Sequence, residues 1–313
     1  MEQVTAEEHR AGQISETKLD RLLAQFAQDG FVCLGSLITD EKCLDKLTDG
    51  LDLAAAQRVL HARFTEQKEW EELTNLGPLL PRTGEWVDTR VVASPIIEQI
   101  VVALLGGAAF IRWYGSNTAL PLPPVAPHLP PELAETWAAG PPGSGMQHMH
   151  MDGHGWSMAS EAEASAYSLP WPHPSFKIFC NIAMTDMTPG NGSTQLWPRS
   201  QIVVPSATHM ACDRQPTDPT TMAPLIEQRC HSQLTRPVQL NLPRGAAVFR
   251  DLRCWHRGMP NRSLLPRHMM GVAFGAERDP GAECSFLGRG KQFHVFDDSA
   301  KKAFQGTASR QAL

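Results

Sequence analysis

Charge is scarce in this 313-residue chain: 19 % of its residues are Asp, Glu, Lys or Arg, and the formal net charge is −5. No basic run stands out, which argues against nucleic acid as a partner. No apolar run approaches the roughly 20 residues of a membrane span, so no membrane partner is expected either. The start, Met1-Glu2-Gln3-Val4-Thr5-Ala6-Glu7-Glu8, is acidic and has no hydrophobic signal core, which points to a cytoplasmic protein. Seven cysteines (Cys33, Cys43, Cys180, Cys212, Cys230, Cys254, Cys284) form no C-x-x-C pair. They read as free thiols rather than a disulfide framework or a structural zinc site. No internal repeat is visible.

What remains is an ordinary apolar content of 42 %, enough to bury a sizeable core in one large domain or two small ones. Helical spacing of Leu19, Leu22, Leu23 and Phe26 predicts a helix over 17–29, stopped at Asp29-Gly30. A short strand, Phe31-Val32-Cys33-Leu34, follows, then a helix from an N-cap at Thr39 or Asp40 to about Arg63. Ser94-Pro95 opens a third helix that Gly106-Gly107 stops. Beyond it lie several short strands: 108–114, 176–184, 194–197, 238–242, 246–250 and 269–274. Helices early and strands late predict one α+β domain over 1–313 rather than β-α-β units. Residues 1–18 and 300–313 are expected to be flexible tails. The proline- and glycine-punctuated stretch 119–145 is expected to be a loop at the mouth of a site.

That stretch runs directly into Gln147-His148-Met149-His150-Met151-Asp152-Gly153-His154. On an extended segment, residues i and i+2 point to one face. His150 and Asp152 can then grip a single metal ion, with His256 of Trp255-His256-Arg257-Gly258 as third ligand. Two histidines and one carboxylate on one side of a metal leave three positions open, the facial arrangement of non-haem Fe(II) oxygenases. A bland alternative, a solvated polar face, stays open, and an isolated H-x-D is common. His148 and His154 fit a supporting or solvent-facing place better than a ligand position. Cys254 reads as a buried structural thiol.

Five pieces, in order, carry a resemblance: Phe26-Ala27-Gln28-Asp29-Gly30-Phe31-Val32; Gln147-x-x-His150-x-Asp152; Thr188 through Ser200; Pro243-Arg244-Gly245-Ala246; and His256-x-Gly258-x-x-Asn261-x-Ser263-x-x-x-Arg267. The chain resembles the phytanoyl-CoA dioxygenase family of Fe(II)/2-oxoglutarate-dependent oxygenases, in particular its fungal secondary-metabolism branch. The resemblance implies a double-stranded β-helix (jelly-roll, cupin-like) core with the N-terminal helices packed on it. It implies Fe(II), with 2-oxoglutarate and O2 as cosubstrates, at His150, Asp152 and His256. Arg267 would grip the far carboxylate of 2-oxoglutarate, a task suited to a planar guanidinium, and Gln147 and Thr194 would hydrogen-bond the cosubstrate. Arg262 is the competing arginine, expected in a surface turn. One departure concerns a turn: Pro198-Arg199-Ser200-Gln201 stands where the family often reads Pro-Gly-Ser-His. The expected reaction is oxidation of a C–H bond of a small, natural-product-like substrate, touched by Trp113 and Trp156. A homodimer is compatible with this reading. Two alternatives are a zinc-dependent hydrolase and a non-catalytic jelly-roll binding protein.

Overall fold

The computed structural model describes residues 1–64, 75–81, 84–121, 147, 149–152, 175, 177–202 and 236–276. Two helices lie between the first two strands. Helix α1 (Ala6–Ala11) starts with a reciprocal cap between Thr5 and Glu8. Helix α2 (Glu16–Asp29) starts at Ser15, whose hydroxyl accepts from the Lys18 amide, and ends at Gly30 in the left-handed conformation. Strands β1 (Glu2–Gln3) and β2 (Phe31–Gly35) pair in parallel. The first eighteen residues, expected as a flexible tail, are therefore built into the fold, with Val4 and Ile14 buried. A two-residue strand and a six-residue helix are too short to show a period, which is why the sequence hid them.

Helix α3 (Glu41–Phe64) buries Cys43, Leu44, Leu47, Leu51 and Ala55, one apolar stripe at helical spacing. A short helix α4 (Thr89–Val92) precedes α5 (Pro95–Leu105), which has proline in its first turn and left-handed Gly106 after its last. The remaining strands are β3 (Asn75–Leu76), β4 (Ala109–Ala119), β5 (Lys177–Ala183), β6 (Gln195–Leu196), β7 (Val238–Gln239), β8 (Ala247–Asp251), β9 (His256–Arg257) and β10 (Arg267–Ala276). They form a seven-stranded sheet, β1-β2-β8-β5-β10-β4-β3, and a three-stranded one, β7-β6-β9.

Strand period two sorts the large sheet's side chains onto two faces. Ile178, Cys180 and Ile182 of β5, Ala247 and Phe249 of β8, and Met270, Val272 and Phe274 of β10 join the helices in one core. The alternate residues Ala183 and Val248 pack with Leu196, Leu240 and Leu242 in a second core between the sheets. Helices on one face and a small sheet on the other make the mixed, jelly-roll-type fold that the resemblance implied. No helix among the described residues is long and apolar enough to cross a membrane.

Candidate metal centre

The site forms where the two sheets meet. His256 lies on β9, opposite Leu196 of β6. His150 and His256 face each other in an isolated antiparallel bridge, exchanging both backbone hydrogen bonds at 2.9 and 2.8 Å. Directly opposed residues share a face, and the two imidazole centroids are 4.3 Å apart. Met149 and Met151 point the other way, into a small core with Trp197 and Trp255. That core anchors the segment and leaves His150 and Asp152 on the free side. The strand expected here is thus a single bridge followed by a bend, not a continuous ladder.

One donor atom from each of His150, Asp152 and His256 lies within 4.8 Å of the others, as three ligands of one ion require. Asp152 Oδ2 is 3.4 Å from His256 Nε2, and its Oδ1 is 3.9 Å from His150 Nε2. Burial alone would raise the Asp152 carboxyl, yet the Arg250 guanidinium and the two imidazoles hold it well below the usual carboxylate range. Burial, and then Arg250, push His256 far below its ordinary value, so the imidazole is neutral and has a lone pair to give. Its Nδ1 is 3.1 Å from the Cys254 carbonyl and 3.2 Å from Arg250 Nη1. The tautomer that donates Nδ1–H to Cys254 leaves Nε2 free for a metal.

Arg250 was not among the residues singled out from the sequence. It projects from β8 with 4 % exposure, and its Nη2 donates to Asp152 Oδ2 at 2.5 Å. Its guanidinium also lies 5.6 Å from the centre of the Phe179 ring. The only hint in the sequence was a charge ending the apolar alternation Ala246-Ala247-Val248-Phe249.

Arg267 opens β10 and is 1 % exposed. Nη1 donates to Asn117 Oδ1 and Nη2 to the Gly192 carbonyl, both at 3.2 Å, while Nε has no partner among the described residues. Burial lowers its pKa to about 10, with no carboxylate acting on it. A buried cation with an orphaned donor fits an anionic ligand, and a dicarboxylate such as 2-oxoglutarate has a carboxylate to spare for it. Gln147 is fixed by two hydrogen bonds to Gly258, one from its backbone amide and one accepted by its Oε1 at 2.8 Å. Thr194 is half-buried and receives the Leu240 amide on its carbonyl. The Trp113 ring meets Phe179 at a tilt of 46°, centroids 5.1 Å apart, beside Leu252 and Ala273. Arg262 lies in the turn before β10, its amide bonded to the Gly190 carbonyl. His148, His154, Trp156 and nearly all of the 119–145 loop lie outside the described residues, as do 205–235 and 300–313.

Two histidines and a carboxylate gathered where two sheets meet are the donor set of the class of non-haem Fe(II) oxygenases. The Phytanoyl-CoA dioxygenase (PhyH) family matches residues 26–269, and the chain belongs to that family. It is accordingly a non-haem iron enzyme that uses 2-oxoglutarate and O2. Among solved structures, it is similar to the non-heme alpha ketoglutarate dependent epimerase SnoN from nogalamycin biosynthesis. The two share 12 % identity over 84 % of each chain, with a TM-score of 0.50. SnoN in complex with Fe3+, alpha ketoglutarate and nogalamycin RO gives the same score and identity over 84 % of this chain and 85 % of that one. EvdMO1 matches at 16 % identity and a TM-score of 0.51, over 83 % of this chain and 50 % of that one. At such identities the likeness is one of fold.

Proposed function

We propose that His150, Asp152 and His256 hold Fe(II), that Arg267 binds the far carboxylate of 2-oxoglutarate, and that the enzyme oxidises a C–H bond of a small natural-product substrate. The observation that carries this reading is the pairing of the three-residue cluster with the unpartnered Nε of Arg267. With iron, 2-oxoglutarate and O2 bound, the centre supplies oxidation of a substrate C–H bond, with release of succinate and CO2. The chain's own residues set up that chemistry. Asp152 stays ionised and His256 neutral without any proton being removed on loading. Arg267 fixes one end of the cosubstrate through its planar fork, and Gln147 and Thr194 flank it. Trp113, packed against Phe179, offers an apolar wall for the substrate and excludes water. A zinc hydrolase would leave the buried Arg267 without a task.

Purified without oxygen and given Fe(II) and 2-oxoglutarate, the wild type should show the weak visible charge-transfer band of a chelated 2-oxoacid. His150→Ala should abolish the band and Arg267→Ala should weaken it. Trp113→Ala should keep the band yet raise KM for whichever substrate turns over. Zinc retained in place of iron, with no band, would sink the reading.

A further inference from the structure

Arg250 is a charged side chain buried on β8 after the apolar Ala247, Val248 and Phe249, and both of its polar contacts are to residues of the metal centre. Nη2 holds Asp152 Oδ2, and Nη1 lies against the His256 ring. Phe179 covers the guanidinium at 5.6 Å, and Phe31 is its register partner on β2. A buried ion pair of this kind is weak evidence for stability, because desolvation offsets most of its attraction. Its geometry has a different consequence. A carboxylate has two oxygens, and one of these is occupied by the guanidinium.

We propose that Arg250 is a positioning residue of the metal centre, holding Asp152 by Oδ2 so that the carboxylate meets the metal with one oxygen and the remaining coordination positions stay open for cosubstrate and O2. The inference rests on the reading of His150, Asp152 and His256 as ligands. The planar fork matters because one arm donates to Asp152 while the other packs against the His256 ring. Lysine carries the same charge but reaches only one point. Held on one oxygen, the carboxylate would keep the other for the metal and would itself stand as the counter-charge to the guanidinium. Hydrogen-bond partners of metal ligands typically contribute about 10- to 100-fold in metal affinity.

The test uses Co(II) alone as probe, because its visible spectrum reports coordination number without turnover. The full-length wild type, Arg250→Gln and Arg250→Lys are titrated, and the thermal midpoint of each metal-free protein is measured beside them. Both variants should bind Co(II) roughly 10- to 100-fold more weakly, with an altered visible spectrum. Arg250→Lys should keep the wild-type thermal midpoint. Wild-type affinity and spectrum in either variant would overturn the proposal. Loss of fold together with metal in both variants would overturn it too, assigning Arg250 to barrel stability. A wild type that binds no Co(II) would overturn the ligand reading itself, an outcome distinct from the other two.

Discussion

At the scale of the residue, Arg267 shows function working against stability. Among the described residues, Arg267 is a buried guanidinium with an unpartnered Nε and no carboxylate beside it, held at a cost of several kcal/mol in desolvation that Asn117 and the Gly192 carbonyl offset in part. Arg267→Met removes the charge and keeps an apolar chain of similar reach. The thermal midpoint without ligands should therefore hold or rise. Binding of 2-oxoglutarate, measured by calorimetry with the metal present, should weaken by about 2–5 kcal/mol, roughly 30-fold to several thousandfold. A midpoint that drops by several degrees with cosubstrate affinity intact would mark Arg267 as a structural residue. The role of this arginine was legible in the sequence only through resemblance. Its isolation from any carboxylate was not, since that depends on which side chains from distant strands line the barrel.

At the scale of the element, two turns place the site's neighbours, and they use backbone conformation in opposite ways. Gly192 has φ +79°, and its carbonyl receives Arg267 Nη2. A Cβ there would sit 2.4 Å from the Met259 carbonyl oxygen and 2.8 Å from the Asn261 amide nitrogen. Gly192→Ala should destabilise by more than the roughly 1–3 kcal/mol of left-handed strain alone, and the displaced carbonyl should raise KM for 2-oxoglutarate. Arg199 is the reverse case: φ is +64° at an exposed residue where the family often has glycine. The left-handed region disfavours an L side chain by about 1–2 kcal/mol, while glycine loses roughly 0.5–1 kcal/mol in entropy on folding. Arg199→Gly should thus be neutral to about 1 kcal/mol stabilising, with the urea midpoint as readout. A clear loss of stability would contradict this account.

Element by element, helices α2, α3 and α5 and most strands stood close to where periodicity put them, because each has an apolar stripe and a stop signal. Strand β4 runs five residues past its expected end at Tyr114. Its extension, Gly115 to Ala119, has polar inward and outward residues that no hydrophobic pattern could flag. Ser116 accepts the Leu79 amide and Thr118 meets His268. The ligand segment failed as a strand for the opposite reason: alternation was present, but among its described residues the backbone pairing comes down to the Gln147 amide on Gly258 and the His150 bridge. Arg250 escaped notice because its partner, Asp152, is far away in sequence.

At the scale of the whole molecule, the helical layer must stay registered on the sheet whose far face carries the site, and His268 is a fastener between them. It is fully buried on β10, beside Arg267. Its Nε2–H donates to Asp52 Oδ1 of α3 at 2.9 Å, and Nδ1 accepts from the Thr118 hydroxyl of β4 at 2.8 Å. Both contacts suit the neutral ring. Burial lowers its pKa below the ordinary 6.5, against the opposing pull of the half-exposed Asp52. Because the folded value is depressed, the unfolded chain takes up the proton first. The stabilisation is complete above pH about 6.5 and is lost as pH falls below it, by at most about 1.4 kcal/mol per pH unit for one group. His268→Gln cannot titrate. It should be less stable than the wild type at pH 7.5, and the gap should narrow by pH 5.5 when urea midpoints are compared on metal-free protein. A gap that stays constant with pH would show that the imidazole does not change protonation on unfolding.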